Sequence, residues 1–228
     1  VMRTGCSCTS PLGPEELIAP YADNIATAIT RARPARVVVS TSGKTIDAEG
    51  SPLQQPAHAA LPTLLSSLEE QGVSFAVIAP RLFLENLLLP PVIDTVRSDG
   101  VLRYPIRADF PVSWASHLDI AAAAAVLLQR RDVTGIVGIG QLPAITGPDL
   151  AASFAEHLRR DVKFESITPE EFGTLITPLI GPAAAGVTGL YQALWHQPDH
   201  VIDPTTSAQQ RLGLIPRTIT AWLSAIGA

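Results

Sequence analysis

The chain has 228 residues, enough for one domain with a substantial core or for a domain and a small appendage. Apolar residues make up 46% and charged ones 16%, which excludes a disordered chain. A net charge of -5 and a pI near 5.5 argue against a general binder of nucleic-acid backbone, and the one basic cluster, Arg31, Arg33 and Arg36, reads as a helix end followed by a strand start.

Val1 to Thr9 is weakly apolar and ends at the breaker cluster Ser10-Pro11-Leu12-Gly13-Pro14, which closes a strand or loop. Glu15 and Glu16 open a helix to about Ala32, with Leu17, Ile18, Tyr21, Ile25, Ala28 and Ile29 at helical spacing. Pro34 stops it, and Val37-Val38-Val39 predicts a parallel strand covered on both faces. Lys44 to Pro56 reads as a loop, Ala57 to Gln71 as a helix capped by Gly72 with Pro62 in its first turn, and Val73 to Ala79 as a second strand. Strand, helix and strand make a right-handed parallel crossover.

After Pro90-Pro91 come a helix over Val92 to Arg97 and a strand over Val101 to Tyr104. Ser116 to Leu128 is helical, Gly135 to Ile139 a buried strand, Pro148 to Arg160 a helix and Val162 to Ile167 a short strand. Thr168-Pro169-Glu170-Glu171 is a helix start with an N-cap, a proline at the first helical position and a capping box. Helices around Ala184 to His196 and Thr218 to Ile226 complete the pattern.

The apolar stretch from Ile120 to Leu128 is far too short to span a bilayer. The first residues lack the basic, apolar and cleavage pattern of a signal peptide, so the expectation is a cytoplasmic protein with neither a membrane nor a nucleic-acid partner. The two cysteines, Cys6 and Cys8, would point to the same side of a strand, and with no other cysteine they read as structural or incidental thiols rather than metal ligands. No metal is expected: Pro198 stops His196 and His200 from aligning on a helix, although Asp199 and Asp203 lie nearby, while His58, His117 and His157 stand alone.

Gly43-Lys44-Thr45 fails as a phosphate loop because Val38 occupies the position that needs glycine. Gly135 to Gly140 fails as a dinucleotide fingerprint because Gln141-Leu142-Pro143 leads into a loop rather than a helix. Ser40, Thr41 and Ser42 follow a buried strand at the place where an open α/β sheet puts its ligand crevice. Their hydroxyls can donate to a carbonyl or phosphate, or cap a turn.

From about Ser10 onward the chain resembles the NmrA-like group of atypical short-chain dehydrogenase/reductases. The resemblance rests on Pro14-Glu-Glu-Leu17 through Tyr21-Ala22-Asp23-Asn24, Arg36-Val-Val-Val-Ser-Thr-Ser-Gly43 and Pro80-Arg-Leu-Phe-Leu-Glu-Asn86. It continues through His117-Leu-Asp119-Ile120-Ala121, Ile145-Thr-Gly-Pro-Asp149 and Ile167-Thr-Pro-Glu-Glu-Phe172. It implies an α/β fold: a doubly wound, Rossmann-like parallel sheet over residues 1–142, with an excursion at 90–112, and a small carboxyl-terminal α+β substrate lobe over 143–228.

The same resemblance implies a cofactor, NADP or NAD, bound by Ser40, Thr41 and Ser42 lining the cleft at the end of the strand and by Pro80, Phe83 and Asn86 near the nicotinamide, with a small quinone-like molecule as acceptor. The family's Gly-rich turn would precede Val1, so the chain is expected to be amino-terminally truncated and to bind dinucleotide poorly. The strand before Thr9 is then expected to form a sheet edge prone to self-association. Carbonyl-reducing members carry Tyr and Lys four residues apart on the helix after the Ser-bearing strand; Ala57 to Gln71 has neither, and His58 and Lys44 are the nearest substitutes. That absence disfavours carbonyl reduction and leaves quinone reduction, a redox-sensing regulator or interaction module, or a nonfunctional fragment.

Overall fold

The computed structural model describes residues 5–9 and 15–228. In chain order the strands are β1 (Gly5–Thr9), β2 (Arg36–Ser40), β3 (Phe75–Pro80), β4 (Leu82–Phe83), β5 (Val101–Tyr104), β6 (Trp114–Ala115), β7 (Gly135–Ile139) and β8 (Lys163–Ser166). The α-helices are α1 (Glu15–Ala32), α2 (Ala60–Glu70), α3 (Pro90–Asp99), α4 (His117–Gln129), α5 (Gly147–Leu158), α6 (Pro169–Ile180), α7 (Ala184–Trp195), α8 (Ala208–Leu212) and α9 (Ile219–Ile226). The breaker cluster Ser10 to Pro14 lies outside the described residues.

The chain divides into two compact units. The first runs to Pro80 and takes in Leu118–Ile139 and Asp203–Ile215; the second holds Arg81–His117, Gly140–Ile202 and Pro216–Ala228. In the first unit, β1, β2, β3 and β7 form a parallel sheet in that order. Val37, Val38 and Val39 are fully buried because both faces are covered. On one face Ile29 of α1 and Leu61, Leu64 and Leu68 of α2 pack on Val37 and Val39; on the other, Leu128 of α4 lies so close to Gly5 that a Cβ there would come within 2.8 Å. This is a doubly wound α/β arrangement, and β2, α2 and β3 form the parallel crossover expected from the sequence.

α2 begins three residues later than its pattern predicts, because Ala59 N–H donates to Pro56 O (2.9 Å) in a preceding turn. Pro62 then falls in the first turn, where an amide N–H has no helical partner. The helix ends in a Schellman motif: Val73 N–H donates to Leu68 O (3.0 Å) and Gly72 N–H to Glu69 O (2.9 Å), with Gly72 at φ 65°.

In the second unit, β4 pairs with β6 and β5 with β8, both parallel. Tyr104, Trp114, Phe172 and Tyr191 meet there as an aromatic cluster with ring centroids 5.4–5.6 Å apart. α6 starts on the expected capping box, Thr168 Oγ1 accepting from Glu171 N–H at 3.2 Å and Thr168 N–H donating to Glu171 Oε2 at 2.7 Å. The stretch Pro169–Trp195 is long and apolar enough by length and composition to cross a membrane. Gly181 and Pro182 interrupt it, and its halves α6 and α7 pack on one another, Gly173 against Thr188.

Candidate functional site

In the first unit the strands run in register to a common carboxyl edge, where Thr9 pairs with Ser40, Ser40 with Ile78 and Pro80 with Ile139. Beyond Ser40 the chain turns sharply. Lys44 N–H donates to Thr41 O at 3.1 Å, and Ser42 and Gly43 have φ 53° and 82°, the two positive values of a type I′ turn. Ser42 N–H also donates to Ser40 Oγ at 3.3 Å, so one serine holds the turn that presents the other. Thr41 N–H continues the ladder to Ile78 O at 2.9 Å. Its side chain is fully buried, and its Oγ1 finds no hydrogen-bond partner among the described residues.

Lys44 and Glu15 supply charge beside this turn. The Glu15 carboxylate accepts from Ala60 N–H, giving α2 the cap that Ala59 cannot provide and placing negative charge at the positive end of the helix. Burial lowers the pKa of the Lys44 ammonium, and Glu15 opposes that shift. The loop that follows is ordered by Gln55 N–H donating to Thr45 O (2.8 Å) and Ala48 N–H to Gln54 Oε1 (2.8 Å). A hollow of about 750 Å³ lined by Arg33, Gln71, Ser74 and Arg131 opens at the opposite, amino-terminal end of the strands, where α/β sheets do not place their ligands.

Of the residues singled out from sequence, Ser40, Thr41 and Ser42 form this turn, and Pro80 closes the neighbouring strand. Phe83 and Asn86 belong to the second unit. There Phe83 meets the His117 ring edge-on with centroids 5.3 Å apart, and Asn86 is hydrogen-bonded to the hydroxyls of Tyr104 and Tyr191, which also bond to each other. Burial pushes Tyr191 up to about 12 and Tyr104 well above the ordinary phenol value.

Sequence reasoning missed the contacts of the Glu85 carboxylate. Glu85 Oε1 accepts from His117 N–H at 2.9 Å and from Trp222 Nε1–H at 3.2 Å, and Glu85 Oε2 lies 3.8 Å from His117 Nε2. His117 is therefore not isolated, nor is His157, whose Nε2 lies 2.8 Å from Ala228 O. Residues 135–139 form β7 with no helix opening directly after them, so the apparent glycine fingerprint there is a strand. Among the described residues no group of three or more metal-binding side chains converges.

No protein-family model and no curated protein matches the sequence. Solved structures do resemble it. Citrobacter sp. triphenylmethane reductase, solved with NADP(H), superposes with a TM-score of 0.75 at 16% identity over 97% of this chain and 76% of that one. Escherichia coli NADPH-dependent quinone oxidoreductase, solved with NADPH, gives 0.67 at 17% identity over 98% and 76%. A mutant NmrA gives 0.64 at 14% over 98% and 69%. The fold of this chain is theirs. It is the Rossmann-like fold expected from the sequence, reached at identities too low to carry chemistry across.

Proposed function

We propose that this chain binds NADP or NAD at the carboxyl edge of its parallel sheet and acts as an NAD(P)H-dependent reductase of a quinone-like or other small acceptor. The observation that carries this reading is the buried, unpartnered Thr41 hydroxyl behind the hydroxyl-bearing type I′ turn at the end of β2. A buried hydroxyl without a partner costs about 1–3 kcal/mol, and a polar ligand group at the strand tips relieves that cost. The residues present therefore fit a polar, hydrogen-bonding ligand, and the fold's neighbours solved with NADP(H) and NADPH support a dinucleotide.

When bound, the nicotinamide supplies hydride. Thr41 and Ser42 donate to the ligand's carbonyl or hydroxyl oxygens, Ser40 holds the turn through Ser42 N–H, and Pro80 ends β3 without an amide N–H to compete. The resemblance assigns Phe83 and Asn86 to the nicotinamide end. A quinone accepts hydride at oxygen or carbon and takes one proton from water to become the hydroquinone, so the chemistry needs no phenol–ammonium pair. α2 offers none.

That missing pair also favours a second reading, a redox-sensing regulator that binds dinucleotide without turnover. Calorimetric titration with NADPH and NADH, followed by NADPH oxidation with a panel of quinones, separates the two. Saturable binding with quinone-dependent oxidation supports the reductase. Binding without oxidation supports the regulator, and no binding of either dinucleotide overturns both.

A further inference from the structure

We infer that the hollow at the amino-terminal end of the first unit's strands binds the phosphate group of a small molecule, at a site separate from the dinucleotide cleft. The crevice of an open α/β sheet lies at the other end of the strands, so topology does not point here. Charge does. The hollow, about 750 Å³, is lined by Arg33 from the α1–β2 connection, Gln71 and Ser74 from the α2–β3 connection and Arg131 from the α4–β7 connection. All three connections are internal segments of the first unit. The volume is that of a small-molecule site.

Three helices end at this face, and bare helix-end carbonyls would repel an anion. Here they are answered from within the chain. Ile29 O of α1 accepts from Arg33 N–H at 2.8 Å, while Leu68 O and Glu69 O of α2 accept from Val73 and Gly72 N–H at 3.0 and 2.9 Å. Arg36 takes Leu127 O of α4 at 3.0 Å, and Val133 O as well. The guanidinium of Arg36 is therefore occupied, and those of Arg33 and Arg131 are left over. Among the described residues no ion pair joins either to a carboxylate; Asp132, the acid next to Arg131, is held by Arg130 at 2.6 Å.

The neutral side chains of the lining are set up to donate. Arg36 Nη1 donates to Ser74 Oγ at 2.9 Å, so that hydroxyl is already an acceptor and keeps its own proton for a ligand. Thr30 Oγ1 donates to Gln71 Oε1 at 2.8 Å and Gln71 Nε2 to Ser67 Oγ at 2.9 Å, which fixes the amide and leaves it one N–H. Burial lowers the pKa of Arg36, Asp132 opposes that shift and Arg131 adds to it, so positive charge is crowded at this face of a chain with net charge -5. A phosphate dianion relieves that crowding, and its oxygens match the fork of a guanidinium.

Arg33 stands at φ 46°, the left-handed conformation that glycine adopts more readily at a helix end. This gives the test. Arg33→Gly removes the guanidinium and relaxes the backbone, so its urea midpoint should match or exceed the parent's and a loss of binding cannot be laid to unfolding. Calorimetric titration of the 228-residue chain at low salt with pyrophosphate, and separately with inorganic phosphate, is expected to show saturable binding at one site. Arg33→Gly and Arg131→Gln should each weaken it about tenfold or more, the loss of one charge-assisted contact.

Two controls place the site. Arg97→Gln removes the same charge from the last turn of α3 in the second unit, and it should leave the affinity within about twofold of the parent. Thr41→Val should do the same, which separates this hollow from the cleft at the end of β2. A parent chain that neither probe saturates would overturn the inference. So would an Arg97→Gln loss as large as that of Arg131→Gln, which would mean a response to net charge alone, or parent-like affinity in the Arg33→Gly, Arg131→Gln double variant.

Discussion

Replacing Arg36 by Met is expected to destabilise the first unit by about 2–5 kcal/mol. The guanidinium is 1% exposed and donates to Leu127 O through Nε (3.0 Å), to Ser74 Oγ (2.9 Å) and to Val133 O, so it joins β2 to the last turn of α4 and to the loops entering β3 and β7. Leu127 O belongs to the set of carbonyls that a helix end leaves unpaired. Met fills the stem's volume but strands two buried carbonyls at about 1–3 kcal/mol each, and it breaks the hydrogen bond to Ser74 Oγ as well. Relief from burying the cation offsets part of that loss. At about 2–4 °C per kcal/mol for a chain of this size, the Tm should fall by about 5–15 °C. Arg36→Lys, able to reach one acceptor, should fall between. Urea unfolding and differential scanning calorimetry measure both, and an Arg36→Met midpoint within about 1 kcal/mol of the parent would refute the role assigned to Arg36.

Thr41→Val should leave stability unchanged or slightly raised, since the hydroxyl it removes has no partner, and weaken NADPH binding about tenfold in calorimetry. Gly140→Ala should lower the urea midpoint by about 2 kcal/mol or more, because Gly140 has φ 157° and a Cβ there would stand 2.5 Å from Ser113 O. Burial, with Cys6 adding to it, raises Cys8 from 9.0 to about 11, and burial raises Tyr191 from 10.0 to about 12. Between each pair of values the folded chain holds a proton that the unfolded chain has released, so stability should decline as pH climbs above 9. Urea midpoints that stay flat or rise over that range would contradict the burial of both groups.

The parts of the fold that were legible in the sequence are those written locally. Val37-Val38-Val39 announced a strand covered on both faces, and Thr168-Pro169-Glu170-Glu171 marked the start of α6 to the residue. Two-residue β4 and β6 carry no period, and their pairing of Leu82 with Trp114 is specified only by the folded chain. α8, five residues long between Ser207 and Gly213, is too short to show a helical pattern. The site divides the same way. Ser40, Thr41 and Ser42 were found because they end a strand, whereas the Glu85–His117 and Tyr104–Tyr191 hydrogen bonds join residues 32 and 87 positions apart.

The site proposed at the end of β2 can be broken without breaking the sheet that carries it. Thr41 N–H continues the ladder to Ile78 O at 2.9 Å whatever its side chain, and the turn from Thr41 to Lys44 is closed by main-chain groups. Thr41→Val should therefore weaken NADPH binding while its urea midpoint stays within about 1 kcal/mol of the parent. Loss of binding together with a larger loss of stability would mean that the hydroxyl supports the fold rather than a ligand, and the site at the end of β2 would have to be given up.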